Sequence, residues 1–531
     1  NRCYPCQKNI SNTKFRREGE NMNDENEYLV MNEEENEEFF DRKNEETSEE
    51  MQTWPTLVRD FSKSASEVSH YNGVPAALSL LTIVGQVCKD FVHIPNGRTH
   101  EDSRLHFCWV QTSGTGKSTL WNFVGPVSKK AFQLINQKNV HPPRVVVHKE
   151  GEEDEHTDII TPRFDTFSVT DYTDAVLIGK WVLNPRHDYE DDENIEPEYN
   201  RRAGILEGNG LAHWDEFEYS GIFKQTNHQE KAVVYLNTLM NSLNGNNWWI
   251  AKALDSMGGK IMHCYCERSV LAMTYPPNNI NEVIADKGVL QRMLLYIKDV
   301  PEYKQDEMVD MKIANFGKIV EVNQPIDEFA EKIFEIYEMM YERWNAVNRD
   351  PLQTVIFEEG FNRALALQHR KMKMEIRDAD PHVVAALSNF KNRLLNTLGK
   401  VAVLCAIIES PSRPPQDRFV VRATNAWQAG TFVQKSYSTL MEWLRRSLKA
   451  KRLTSTENNY EPIFLDCYNA MKEDWDENGY VNKTKFLNKV MTKVKKSRAQ
   501  VYRNYDIVRH NFHEMKEGRS WYIKQVRRDE K

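Results

Sequence analysis

Three consecutive residues, Gly116, Lys117 and Ser118, have the types and order needed to hold a phosphate. They close the stretch "QTSGTGKST", which fits the phosphate-loop pattern G-x-x-x-x-G-K-[ST] except at its first position, where Gln111 replaces glycine. Backbone N–H groups aimed inward at an anion need left-handed backbone, which Gly114 and Gly116 accept without strain. A helix starting near Lys117 adds the positive end of its dipole. Lys117 would then reach the β- and γ-phosphates, and the Ser118 hydroxyl would ligate Mg2+. The expected nucleotide contacts are Ser113, Gly114, Thr115, Gly116, Lys117, Ser118 and Thr119, with ATP and Mg2+ as the implied cofactors. Position 111 mainly helps the strand turn into the loop and need not touch phosphate. A substitution there is cheaper than one at Gly116 or Lys117.

Hydrolysis also requires an acid at the end of an apolar strand. "GLAHWDEFE" offers Asp215 to hold Mg2+ through water and Glu216 to polarise the attacking water. The other reading of that pair is an exposed acidic turn. Further on, "SVLAMT" reads as a strand ending at Thr274, where a polar group could sense the γ-phosphate. In "IADKGVLQRMLLYI", Arg292 stands just before another strand. An arginine there either reaches a neighbouring subunit's nucleotide, worth about 10³–10⁵ in rate, or makes a structural salt bridge. His263, Cys264 and Cys266 do not read as a metal site, because alternate strand positions split them between faces and no fourth ligand is present.

The elements that must carry these residues are legible around them. Helical text ("WPTLVRDFSKSASEVSHY", "VPAALSLLTIVGQVC") leads into a strand, "DFVHIPN". A second strand, "RLHFCWVQ", runs into the glycine loop, and "KSTLWNFVGPVSKKAFQLI" leaves it as a helix. "RVVVHKE", "FSVTDYTDAVLIGKWV" and "GNGLAHWDEFE" add strands and helices, with an acidic, loop-like insert over His187–Asn200. "WWIAKAL" and "KIMHCYC" flank "DSMGG" as a hairpin, distinct from the strand "SVLAMT". Strands alternating with helices over residues 54–300 predict a mostly parallel sheet in a three-layer α/β domain. Residues 301–450 carry helical spacing throughout, as in "DEFAEKIFEIYEMMYERWNAV", and predict a bundle or lid. Residues 460–531 give two helices, "IFLDCYNAMKED" and "NKTKFLNKVM", then a third over "SRAQVYRNYDIVRHNF" capped by Ser497, then a hairpin over "HEMKEGRSWYIKQV". That order is the order of a winged helix. Arg498, Arg503 and Arg509 on its recognition helix, with Lys516 and Arg519 in the wing, are the candidate DNA contacts.

Composition narrows the class. At 531 residues the chain has room for two to four domains, and no apolar run approaches the ~18 residues of a membrane span. No secretory leader is legible, and opening on Asn1 suits a piece of a longer protein. Eight scattered cysteines form no disulfide framework, which favours a reducing, cytoplasmic setting and not secretion. Cys3 and Cys6 have the spacing of half a zinc site but no second pair nearby, so they read as unpaired thiols. The net charge of −8 hides a segregation: Glu18–Glu50 carries 15 acids against two bases, and Lys483–Lys531 carries 15 bases against five acids. The first stretch, within residues 1–53, predicts a disordered linker behind a short basic head. The second is a candidate nucleic-acid face or a solvated surface.

Taken in order, "HIPNGRTHEDSRLHFCWVQTSGTGKST", "HWDEFE", the hairpin, "LAMTYPPNN", "GVLQRM", "NTLGKVAVLCAIIE" and "ATNAWQAGTFVQKSY" resemble the P-loop ATPases associated with primases in phages, plasmids and other mobile elements, a family related to superfamily 3 and AAA+ ring helicases. The resemblance covers roughly residues 54–448. It implies a RecA/AAA+-like core and a hexameric ATPase that translocates on DNA. Lys117, Ser118, Asp215 and Glu216 would bind and hydrolyse ATP, Thr274 or its rival Asn278 would be the sensor, and Arg292 the finger acting on the next subunit. The "DSMGGK" hairpin falls where superfamily 3 rings place a pore hairpin, making Lys260 and Lys252 DNA-contact candidates. The basic head and acidic linker would suit an upstream primase or nuclease module, and a primase or polymerase partner. The leading expectation is thus an ATP-driven, ring-forming DNA helicase of a virus or mobile element. The alternatives are a DNA-binding replication initiator that uses ATP as an assembly switch, and an ATPase of a defence system. Kinase or small-molecule ligase activity is disfavoured, since nothing beyond the loop suggests an acceptor site.

Overall fold

Hydrophobic patterning sets the lead-in to the sheet. In α1 (Thr56–Ser69), Val58, Phe61, Ala65 and Ser69 recur at helical spacing and are buried. α2 (Gly73–Cys88) is apolar all round and buried from Pro75 to Cys88, as such a helix must be. Its internal hydroxyls, Ser79 and Thr82, donate to the carbonyls of Pro75 and Leu78 one turn back, so their burial leaves no polar group unpaired. The computed structural model describes residues 53–526 with breaks, the longer of them at 184–198, 218–231, 244–248, 255–259, 277–287, 318–322 and 411–418. The acidic linker with Cys3 and Cys6, most of the acidic insert, the "DSMGG" turn, Asn278, Ser497, Arg503 and Arg519 lie outside the described residues. Residues Trp54–Lys531 form one compact unit, separate from Asn1–Thr53.

The chain then forms a hairpin of β1 (His93–Asn96) and β2 (Thr99–Asp102), the fully buried β3 (Phe107–Val110) and the long α3 (Lys117–Lys138). β4 (Arg144–Glu150) pairs with β5 (Asp154–Ile160) as an antiparallel ribbon. β6 (Phe164–Val169), α4 (Asp174–Leu177) and a second ribbon of β7 (Gly179–Leu183) and β8 (Tyr199–Ala203) lead to β9 (Gly208–Trp214). α5 (Ala232–Leu239), β10 (Trp249–Leu254), β11 (Lys260–Thr274) and β12 (Leu294–Ile297) complete this part. Five of these strands make one parallel sheet in the order β12-β3-β11-β9-β6. Numbered along the chain, that is 5-1-4-3-2. The chain leaves β3 for the far edge, works back inward, and finally passes β3 to lay down β12. The molecule is therefore an α/β protein built on a five-stranded parallel sheet.

Two strands expected as separate, "KIMHCYC" and "SVLAMT", are one strand of 15 residues. The charges between them, Glu267 and Arg268, are both buried and neutralised within it. The fully buried Lys89 ammonium lies 2.7 Å from the Glu267 carboxylate. Arg268 pairs with Asp165 and donates to the Glu207 carbonyl. Residues 266–274 of β11 belong to the parallel sheet, whereas residues 260–265 pair antiparallel with β10. The β10–β11 hairpin is thus an arm about 17 Å long that continues β11 past the sheet's N-terminal edge, at ~3.4 Å per residue.

After the sheet come α6 (Glu302–Ala314), α7 (Asn323–Ala346), α8 (Glu359–Arg377), α9 (Lys391–Ile408) and α10 (Ala423–Thr454). A short parallel pair that the helical spacing did not announce, β13 (Val355–Phe357) with β14 (Phe419–Val421), joins segments 64 residues apart. α10 covers the free edge of β12: Ser436 donates to the Leu295 carbonyl, and the Ile297 N–H donates to Thr439 Oγ1 at 3.4 Å. Side chains thereby satisfy backbone groups that an open sheet edge would leave exposed.

The C-terminal segment begins with α11 (Thr456–Asn469), continues through β15 (Val481–Asn482) and α12 (Lys483–Val494), and ends in β16 (Phe512–Glu517) and β17 (Ser520–Gln525). The helix expected over 463–474 stops at Asn469 and gives way to a 3-10 turn at Lys472–Asp474. Positions 498, 501, 502, 505 and 508 are helical. The expected hairpin is present, with Gly518 at φ 60° in its turn, and β15 joins it to give the order β15-β17-β16. Phe464, Tyr468, Phe486, Val501, Tyr505, Phe512 and Ile523 form a core drawn from this segment alone.

Among the described residues, no helix is long and apolar enough to cross a membrane. The five described cysteines, at 88, 108, 266, 405 and 467, are buried, and no disulfide joins them.

Candidate functional site

Because the five strands are parallel, their C-terminal ends share one edge. That edge gathers Gln111 after β3, Asp215 after β9 and Thr274 at the end of β11. Thr274 lies directly abreast of Val110, and its carbonyl accepts from the Gln111 N–H at 3.1 Å. In a doubly wound sheet, ligands bind at this edge where connections diverge to either side.

The loop has the backbone expected of it. Gly114 and Gly116 adopt φ of 79° and 85°, and a side chain at either would be strained. α3 begins at Lys117, and the Leu120 N–H donates to the Gly116 carbonyl at 2.9 Å, so the first turn is closed on the loop. Lys117 Nζ donates to the carbonyls of Gln111 (2.6 Å) and Thr112 (2.8 Å). The ammonium is thereby held across the loop's mouth. Thr115 is buried and its hydroxyl donates to the Thr112 carbonyl at 2.6 Å. Ser113, Gly114 and Ser118 are exposed, and Thr119 is half-buried. Thr112 Oγ1 is buried with no hydrogen-bond partner. Open space over Gly114, an orphaned hydroxyl and a lysine aimed across the loop fit a phosphate group.

Gln111 does more than start the loop. Its side chain is fully buried, accepts from Trp109 Nε1 at 2.8 Å and donates through Nε2 to the Thr115 carbonyl at 3.3 Å. It braces the loop from beneath, a task the glycine of the pattern could not perform.

Asp215 and Glu216 stand at the end of β9. Glu216 is exposed with φ 50°, and its N–H donates to Asp215 Oδ1 at 3.1 Å. A non-glycine residue held left-handed costs roughly 1–2 kcal/mol and suits a residue with a task. The face they occupy is fixed by His213, two residues earlier. Its ring stacks on Trp121 of α3 at 3.6 Å and 8°, and its Nδ1 lies 2.8 Å from Ser168 Oγ on β6. Strand alternation carries Asp215 to the same side as His213, and Trp121 follows Lys117 and Ser118 by one helical turn. The stack therefore fixes the first turn of α3 over the strand that delivers the acids. Burial, with a smaller contribution from Lys129, pushes the His213 imidazole down to about 3, so it stays neutral.

Thr274 is buried, and its hydroxyl donates to the Tyr275 carbonyl at 2.9 Å. Arg292 sits in a 3-10 turn before β12, at the opposite edge of the sheet. Leu294 pairs with Phe107 at the start of β3, whereas the loop leaves β3 after Val110. Arg292 is roughly 20 Å from its own loop, at ~3.3 Å per residue, which rules out a contact within one chain. Among the described residues it makes no salt bridge: Nη1 donates to Asn237 Oδ1 (2.6 Å) and the Gly288 carbonyl (2.7 Å), and Nε to Asn241 Oδ1 (3.3 Å).

The DNA-contact candidates divide. Positions 252 and 260 lie on the arm, and its register (Lys252 opposite Met262, Leu254 opposite Lys260) puts both on one face. Arg498 is exposed, with its guanidinium 5.4 Å from the Tyr502 ring centre. Lys516 lies over Trp521 on the hairpin. Arg509 is not on the third helix as expected but in the 3-10 turn after it, paired with Glu514 at 2.5 Å, because the chain must turn there to enter β16.

Sequence reasoning missed the His213–Trp121 stack, although an aromatic one turn after the loop lysine and a histidine two before the acid are both visible in the text. It also missed Lys298, which is half-buried at the loop's edge with its N–H on the Val110 carbonyl at 3.2 Å. Burial lowers the Lys298 pKa, Lys435 adds to this and Glu442 opposes it. Among the described residues, no cluster of three His, Cys, Asp or Glu could hold a metal by itself. Compared with known proteins, the chain matches no family model and no curated protein.

Proposed function

We propose that this chain is an ATP-driven motor of the helicase class that assembles as a ring and moves along DNA. The observation that carries the reading is the division of residues between the two edges of the parallel sheet. The loop, Thr274, Asp215 and Glu216 share one edge, while Arg292 and the β10–β11 arm lie at the other. An arginine too far from its own loop, and without an acid partner, is suited to complete the site of an adjacent copy.

In this reading the α/β part is a three-layer P-loop core. Lys117 and Ser118 hold phosphate and Mg2+, with Asp215 supporting the metal from β9. Bound Mg-ATP supplies the phosphoryl group whose transfer to water drives the motion. Glu216 orients the attacking water and takes its proton, Thr274 fixes the loop against β11, and Arg292 stabilises charge developing on the neighbour's phosphate. Positions 252 and 260 follow the strand's phosphates. The C-terminal unit acts as a winged helix, with Arg498 and Lys516 as its described DNA contacts. A hexameric ring is what the resemblance implies, and the basic head and acidic linker suit a primase or polymerase partner.

The test is Lys117→Ala in the full chain. It should reduce DNA-stimulated ATP hydrolysis by at least about 10²-fold, and abolish ATP-dependent displacement of a labelled strand from forked DNA. Unchanged hydrolysis would end the motor reading. Intact hydrolysis in the unaltered chain without strand displacement would favour the ATP-switched initiator.

A further inference from the structure

We propose that the cavity at the sheet's N-terminal edge is a phosphate-binding site whose two anion ligands are Arg292 and Arg393. The cavity has a volume of about 90 Å³ and is walled by the end of β2, the segment before β3, the residues after α5, the Arg292 turn and the first turns of α9. Four cations border it: Arg104, Arg292, Arg393 and Lys400.

Two of the four are already neutralised. Arg104 is paired with Asp102 at 3.1 Å and donates to the carbonyls of Leu239 and Asn241. Lys400 lies 3.3 Å from Glu101, the one acid on the wall. Glu101 is then saturated, since Ser242 and the Asn396 amide also donate to it. Among the described residues neither of the other two charges is paired with an acid, and Glu101 reaches Arg393 only at longer range. Arg292 bonds only to neutral acceptors. Among the described residues, the Arg393 guanidinium makes no hydrogen bond and no ion pair.

Two guanidinium groups in a half-buried hollow repel each other, and burial penalises both. The Arg292 pKa is lowered to about 10, chiefly by burial and then by Arg393; burial also lowers Arg393, with Glu101 opposing it in part. A bound oxyanion removes that cost. Guanidinium forks match its geometry. The volume suits one tetrahedral oxyanion and is far below the ~300 Å³ at which small-molecule sites begin. The phosphate therefore arrives alone or at the end of a larger molecule. If it is the terminal phosphate of a neighbour's nucleotide, Arg393 acts beside Arg292 on it, and that source rests on the motor reading. The pocket itself does not.

The test uses the full chain carrying Lys117→Ala, to weaken phosphate binding at the loop, titrated calorimetrically with inorganic phosphate. One phosphate per chain should bind. Adding Arg393→Gln should weaken that binding about tenfold or more while raising the melting temperature of the unliganded protein, because it removes one of the two repelling charges. Arg393→Lys, which keeps the charge and loses the fork, should weaken it less. Equal phosphate affinity with and without Arg393→Gln, or no binding in the Lys117→Ala chain, overturns the pocket while leaving the motor reading intact. The source is read from two further arms. Mixing Lys117→Ala chains with Arg393→Gln chains restores ATP hydrolysis if the phosphate belongs to a neighbour's nucleotide. Weaker single-strand binding by Arg393→Gln, with a shallower salt slope, assigns it to nucleic acid. Neither effect leaves free phosphate as the ligand.

Discussion

Gln111 is a residue whose apparent fault has a physical use. The phosphate-loop pattern asks for glycine there, yet the glutamine side chain links Trp109 Nε1 on the strand to the Thr115 carbonyl in the loop. Restoring the pattern should therefore harm the protein. Gln111→Gly strips the buried Trp109 N–H and the Thr115 carbonyl of their partner, which costs about 1–3 kcal/mol. The expected outcome is a lower melting temperature with no gain in nucleotide affinity, measured by calorimetric unfolding and nucleotide titration on the same preparation. Glu216 makes the opposite bargain: it keeps a left-handed backbone at a position where glycine would sit without strain.

Among elements, the contact between α3 and β9 decides whether loop and acids face each other, and His213 against Trp121 is its centre. This contact has a pH signature. The His213 pKa is about 3 in the fold, against ~6.5 in the unfolded chain, so below ~6.5 the unfolded chain binds the extra proton. The stability contributed is fully present above pH ~6.5 and is lost as pH falls from there toward 3. His213→Phe keeps a ring on Trp121 but cannot titrate. Its melting temperature relative to the unaltered chain should rise as pH is lowered from 7 to 4.5. A difference that stays flat over that range would show that His213 is not held neutral by the fold.

For the whole molecule, the compact unit of residues 54–531 contains a C-terminal segment with a core of its own. The C-terminal segment packs Phe464, Tyr468, Phe486, Tyr505 and Phe512 against one another. A charged network ties it together as well: Glu514 accepts from Lys483, Tyr505 and Arg509, and despite burial these donors hold its carboxyl below the usual range. Residues 456–531 should consequently fold alone, giving a cooperative thermal transition and dispersed amide resonances. A fragment without a transition would show that α10 is needed to hold it.

Much of this was legible in the text because the signals are local. The strand, glycine loop and helix around Lys117, the hairpin after Phe512 and the turn before β12 each follow from a few adjacent residues. The continuous β11 was not legible, because it buries Glu267 and Arg268 against partners at 89 and 165. The β13–β14 pair, the place of Arg292 across the sheet from the loop, and the meeting of Arg292 with Arg393 likewise depend on residues far apart in the chain. The sequence by itself determined where the glycine loop falls between strand and helix, since glycine backbone freedom and side-chain chemistry belong to the residues. Only the tertiary structure decided which edge each site residue occupies and which charges, among the described residues, go without a paired acid, because strand order and burial are properties of the packed chain.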